Sequence, residues 1–129
     1  MQSNQYIETL RQLCDTPPKG MPPYLLRTRF ERNLYGAISQ LAQQRVGKRP
    51  RGLTRNHVEV FVKENSVPVV TATPLRLAAD VFERFTYLCD TSNWSNDGQD
   101  PRLEACRQDI LCFCDLILKT VSCCSANPS

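Results

Sequence analysis

The chain has 129 residues, a formal net charge of +3, 41% hydrophobic residues and 22% charged residues. These values are ordinary for one globular domain that can bury about two-thirds of its unfolded surface and fold without staples. No stretch approaches 18 uninterrupted apolar residues and the polar start, Met1 to Tyr6, lacks the basic and apolar regions of a secretory signal, so neither a membrane span nor secretion is expected.

Ser3 to Cys14 is expected to form a short helix, with Ile7, Leu10 and Cys14 on one face. Four prolines and a glycine between Asp15 and Pro23 stop it and make an extended connector. Tyr24 to Gln44 reads as a long amphipathic helix. Leu26, Phe30, Leu34, Ala37, Ile38 and Leu41 line one face, Arg29, Arg32 and Gln43 lie opposite, and Arg27 sits at the stripe's edge. Gly36 falls off the stripe and costs about 1 kcal/mol relative to Ala, unless another group approaches closely there. Residues 45–55 form a basic loop broken by Gly47, Pro50 and Gly52.

Residues 54–72 admit two readings. Thr54 can cap a helix that turns Val58, Phe61 and Val62 inward and runs into an extended linker. The alternation in Val58-Glu-Val-Phe-Val62 and the apolar run from Val67 also admit a short β-hairpin near 58–72, with Pro68 confining the second strand to an edge. The helix is favoured, because an isolated two-stranded hairpin is marginal. Thr73-Pro74 then signals a helix start. Leu77, Ala78, Val81, Phe82, Phe85, Leu88 and Cys89 face inward from it, and Arg76, Asp80, Glu83 and Arg84 face away. A polar loop from Asp90 to Asp100 carries the only tryptophan, Trp94.

Asp100-Pro101 is a second cap-and-proline start, opening a helix over Pro101–Cys124. Leu103, Cys106, Ile110, Phe113, Ile117, Val121 and Cys124 recur on one face, and Leu111, Cys112, Leu116 and Leu118 add apolar surface elsewhere. A helix apolar on nearly all sides is a buried one. The expected fold is therefore all-α: a single compact bundle of four or five helices over residues 1–124, around a central buried C-terminal helix, with 125–129 a flexible tail. Asp115, inside that helix, would then need a partner such as Arg84 or Arg107, or would mark an exposed strip.

The seven cysteines are odd in number and irregularly spaced, which is a poor disulfide framework. They point to a reducing compartment, nucleus or cytoplasm. Cys112-Phe-Cys114 and Cys123-Cys124 lack the C-x-x-C spacing of structural zinc sites, and two helical residues two apart diverge by about 200°. No metal or other cofactor is expected. His57 is the only histidine, beside the basic loop and without an orienting carboxylate nearby in sequence, and no phosphate-loop, GxSxG or HExxH pattern occurs. No catalytic residue is assigned.

Charge is the informative asymmetry. Residues 27–55 hold eight basic side chains, Arg27, Arg29, Arg32, Arg45, Lys48, Arg49, Arg51 and Arg55, against Glu31 alone. Three readings compete for them: a solvated surface, a short nuclear localisation signal in Lys48-Arg-Pro-Arg51, or a site for phosphate or carboxylate, which planar Arg forks bind well. Trp94, alone in a polar loop, either covers a helix end or anchors a partner. The functional expectation is a non-enzymatic adaptor or regulatory domain for protein–protein interaction, meeting an acidic surface or peptide through these residues. The alternative is an RNA- or DNA-binding module using the same region.

Overall fold

The computed structural model describes residues 5–15, 23–91 and 101–126, and the side chains of residues 5–15, 25–87 and 105–119. It contains five α-helices: α1 (Gln5–Asp15), α2 (Pro23–Val46), α3 (Arg55–Asn65), α4 (Val69–Thr91) and α5 (Pro101–Ala126). Four of them close a ring in which α1 meets α2, α2 meets α4, α4 meets α5 and α5 returns to α1; α3 lies against α4. The loop around Trp94 lies outside the described residues.

The stripe on α2 is buried as its spacing predicts: Leu26, Phe30, Leu34, Ala37, Ile38 and Leu41, joined by Ala42. Opposite it, α4 contributes Leu75, Ala78, Ala79, Val81, Phe82 and Phe85. Phe30 and Phe85 meet edge-on across this seam, with ring centroids 4.9 Å apart and planes at 75°, the arrangement that sets a ring's positive edge against its partner's negative face. Gly36 is where α1 comes close. A Cβ at this position would lie 2.3 Å from the Tyr6 ring, so the glycine admits the aromatic ring against the α2 backbone.

The structure decides one open alternative and corrects two expectations. The hairpin near 58–72 is absent: residues 55–65 are helical, and the two elements are joined by Ser66, Val67 and Pro68. A strand would place Val58, Val60 and Val62 on one face. The helix instead buries Val58 and Phe61 and leaves Val60 43% exposed. Thr54 caps it, its hydroxyl oxygen accepting from the His57 N–H at 3.2 Å. At the other end Ser66 adopts the left-handed conformation, and the N–H groups of Ser66 and Val67 both reach the Val62 carbonyl.

The fourth helix starts before Thr73-Pro74. The Pro68 carbonyl accepts from Thr71 and Ala72, opening α4 at Val69, and the Thr73 hydroxyl donates back to the Val69 carbonyl at 2.9 Å. Pro74 therefore sits in the second turn. Its missing N–H would have bonded the carbonyl of Val70, so the helix gives up one backbone hydrogen bond there, while the proline ring is buried.

The last helix is a wall of the ring and not its axis. It buries Cys106, Ile110, Phe113, Cys114 and Ile117, while Cys112, Asp115, Leu118 and Lys119 face solvent. Asp115 is exposed and pairs with Arg11 of α1 at 2.6 Å, while Arg84 pairs with Asp109 at 2.6 Å. The helix also runs on to Ala126, into the segment read as a tail.

Two stability outcomes follow from the packing. Phe113 is fully buried, so Phe113→Ala should cost about 3–5 kcal/mol in denaturant unfolding. Gly36→Ala should destabilise the native chain, because the Tyr6 ring must move; in a Tyr6→Ala background the same change should stabilise by about 0.5–1 kcal/mol through helix propensity. A thermal-melt cycle of the four proteins reads that change of sign.

Candidate functional site

The basic loop between α2 and α3 is anchored to the fold. Gly47 takes a left-handed conformation, φ 74°, and its N–H donates to the Gln43 carbonyl at 3.0 Å, closing α2. The Gln43 side-chain amide donates to the Gly47 carbonyl at 3.1 Å. Pro50 is buried, and its carbonyl accepts from the Tyr35 hydroxyl of α2. Leu53 is buried in the core. Between these anchors Lys48, Arg49 and Arg51 are exposed.

Two clefts flank this loop. The larger, about 510 Å³, has Lys48, Arg49 and Arg51 on the loop side. Its other side is one face of α3, running from Asn56 and His57 through Val60 and Phe61 to Glu64 and Asn65. The smaller, about 370 Å³, lies against α2, where Thr28, Glu31, Arg32 and Tyr35 face Arg51, Gly52 and Leu53. Arg51 lines both clefts.

Of the eight basic residues expected to form one surface, the structure gathers four at these clefts: Arg32, Lys48, Arg49 and Arg51. None of the four forms an ion pair among the described residues. Arg29 is exposed on α2 and Arg45 is half-buried near its end. Arg27 is half-buried, and its Nε is enclosed with no hydrogen-bond partner in the described structure. Arg55 is exposed but engaged with α4. Its backbone N–H donates to Glu83 at 2.8 Å, and its guanidinium pairs with Asp80 and with Glu83 at 3.3 Å. The hydrogen bond from Arg55, with Arg84 also alongside, holds the Asp80 carboxyl below its usual range. Trp94 lies outside the described residues.

The α3 side of the larger cleft was not legible as part of a site. Asn56, Val60 and Glu64 share a helical face with His57, and Asn65 closes it at the helix end, but only the return of the loop makes that face a wall. His57 is seated tightly. Its Nδ1 is 2.9 Å from the Thr54 hydroxyl, and a Cβ at Gly52 would lie 2.4 Å from the same nitrogen. No carboxylate bonds to it among the described residues.

The cysteine chemistry lies elsewhere. Cys14, Cys106 and Cys114 are buried thiols, and Cys112 is an exposed one. Burial pushes the Cys114 thiol up to about 11 and raises Cys106 as well, the opposite of what a reactive thiolate requires. Among the described residues no group of three or more His, Cys, Asp or Glu is placed to hold a metal ion. The clefts present guanidinium and ammonium groups, without ion pairs among the described residues, on an anchored loop, the type of donor that suits anions. No family model matches the chain, and no curated protein or solved structure is significantly similar to it.

Gly52→Ala should displace the exposed His57 ring and break its contact with Thr54. The expected result is a changed His57 ring environment in two-dimensional NMR, with stability lowered by less than about 1 kcal/mol, as for other exposed sites.

Proposed function

We propose that the chain is a non-enzymatic interaction domain, an adaptor or regulatory module that receives an acidic segment of another protein at the clefts around Arg51. One observation carries this reading: Lys48, Arg49 and Arg51 are exposed and without ion pairs among the described residues, on a loop whose backbone is anchored at Pro50 and Leu53. Carboxylates suit these groups, since Arg binds them through paired N–H donors and the local field attracts them from a distance.

A nucleic-acid module is the second reading, favoured by Arg32 and Arg51 sharing the smaller cleft. Stacking support for it is thin. Phe30 and Phe61 are buried and the Tyr35 hydroxyl is bonded to Pro50, whereas single-strand binding uses exposed aromatic faces among the positive charges. Lys48-Arg-Pro-Arg51 is also less available as a linear nuclear-import signal, because Pro50 is buried. Residence in nucleus or cytoplasm belongs to the same proposal.

Fluorescence anisotropy with an acidic peptide, a short RNA and a short duplex DNA, at low and physiological salt, tests the two readings. The acidic peptide should bind at low salt, weaken as salt rises, and lose at least tenfold in affinity when Lys48, Arg49 and Arg51 are changed to Glu with the melting temperature retained. Tighter binding of RNA or DNA, lost in the same variant, would replace the protein partner with nucleic acid.

A further inference from the structure

We infer that the cleft between the 48–51 loop and α3 takes a short acidic segment built around one aliphatic side chain, which lies over Val60 while flanking carboxylates meet Lys48, Arg49 and Arg51. This rests on the protein-partner reading above and narrows it to one groove and one chemical class of ligand.

The composition of the groove carries the inference. Its loop side is cationic, and its α3 side presents the Asn56 amide and His57, with Asn65 at the far end, its side-chain NH2 donating to the Phe61 carbonyl at 3.0 Å. Between them lies Val60, 43% exposed. A branched aliphatic residue in a cationic cleft contributes nothing to binding a phosphate chain or a lone anion. It does contribute to a ligand that brings apolar surface of its own, since removing apolar area from water is favourable at about 25 cal/mol per Å². Glu64 on the same face opposes a continuous row of phosphates, but leaves space for a peptide whose carboxylates are separated by an uncharged side chain. The lining from Asn56 to Asn65 covers about 14 Å of helix. About four or five extended residues span that length.

The test uses the full chain and three labelled probes: the pentapeptide Glu-Asp-Leu-Asp-Glu with blocked ends, the same peptide with its leucine replaced by serine, and a short single-stranded RNA. The leucine peptide should bind about tenfold tighter than the serine peptide. Val60→Ser should remove that preference by weakening the leucine peptide alone, and the Lys48, Arg49 and Arg51 reversal should weaken both. Val60 is exposed, so the variant should fold, with circular dichroism as the control. Equal binding of the two peptides, or a preference that survives Val60→Ser, would overturn the groove assignment and leave the acidic-partner reading standing. Failure of both peptides to bind the folded protein at low salt would remove both. RNA binding tighter than either peptide and indifferent to Val60→Ser would assign the groove to nucleic acid and overturn the inference.

Discussion

The seam between α2 and α4, closed by the edge-on meeting of Phe30 and Phe85, is the constraint on which the rest of the molecule depends. Each of these helices also has a second neighbour, α1 on α2 and α5 on α4, so the seam sets where both outer helices can lie. It decides the position of the cationic loop as well. Tyr35 is on α2 and holds Pro50, while α3, which makes the other wall of the larger cleft, lies against α4. The site is thus assembled from two consecutive helices and the loop that joins them, and the seam fixes how those helices lie, because α3 is held against α4 and α4 against α2.

Charge is distributed by the same architecture. Acidic groups of α3, α4 and α5 are matched to arginines across helix boundaries, Glu59 with Arg76, Asp80 with Arg55, Asp109 with Arg84 and Asp115 with Arg11, and Asp80 also pairs with Arg84 one turn along α4. The pairs are partly solvated and individually weak, as surface ion pairs are. Their larger effect is to occupy the acids at helix contacts away from residues 48–51. The electrostatic character of the cleft is therefore a product of where the fold places its carboxylates as much as of the run of basic residues in the sequence.

The apolar stripe on α2 could be read directly, because six buried positions recur at helical spacing with arginines between them. The last helix was misjudged for an instructive reason. Leu111, Cys112, Leu116 and Leu118 made it look apolar all round, yet Cys112 and Leu118 are exposed; apolar atoms cover much of any protein surface and do not by themselves signify burial. Thr73-Pro74 was a false start signal because the Pro68 carbonyl already accepts from Thr71 and Ala72, and the helix accommodates Pro74 in its second turn. Arg55 belonged to the basic run by composition but to α4 by contact, through partners 25 and 28 residues further along the chain. The same non-locality hid the far wall of the cleft, since nothing in the order of residues reveals that the loop doubles back along α3.

The anchoring of that loop has a consequence in conformational entropy. A basic segment tethered only at its ends would surrender backbone freedom on meeting a ligand, at roughly 1–2 kcal/mol for each residue ordered. Here the hydroxyl of Tyr35 and the burial of Pro50 and Leu53 order the backbone when the chain folds. An incoming ligand loses its own freedom and that of a few side chains, and little more. Recognition at such a surface rewards ligands that already hold their charges at the right spacing and discriminates against those that must rearrange to do so.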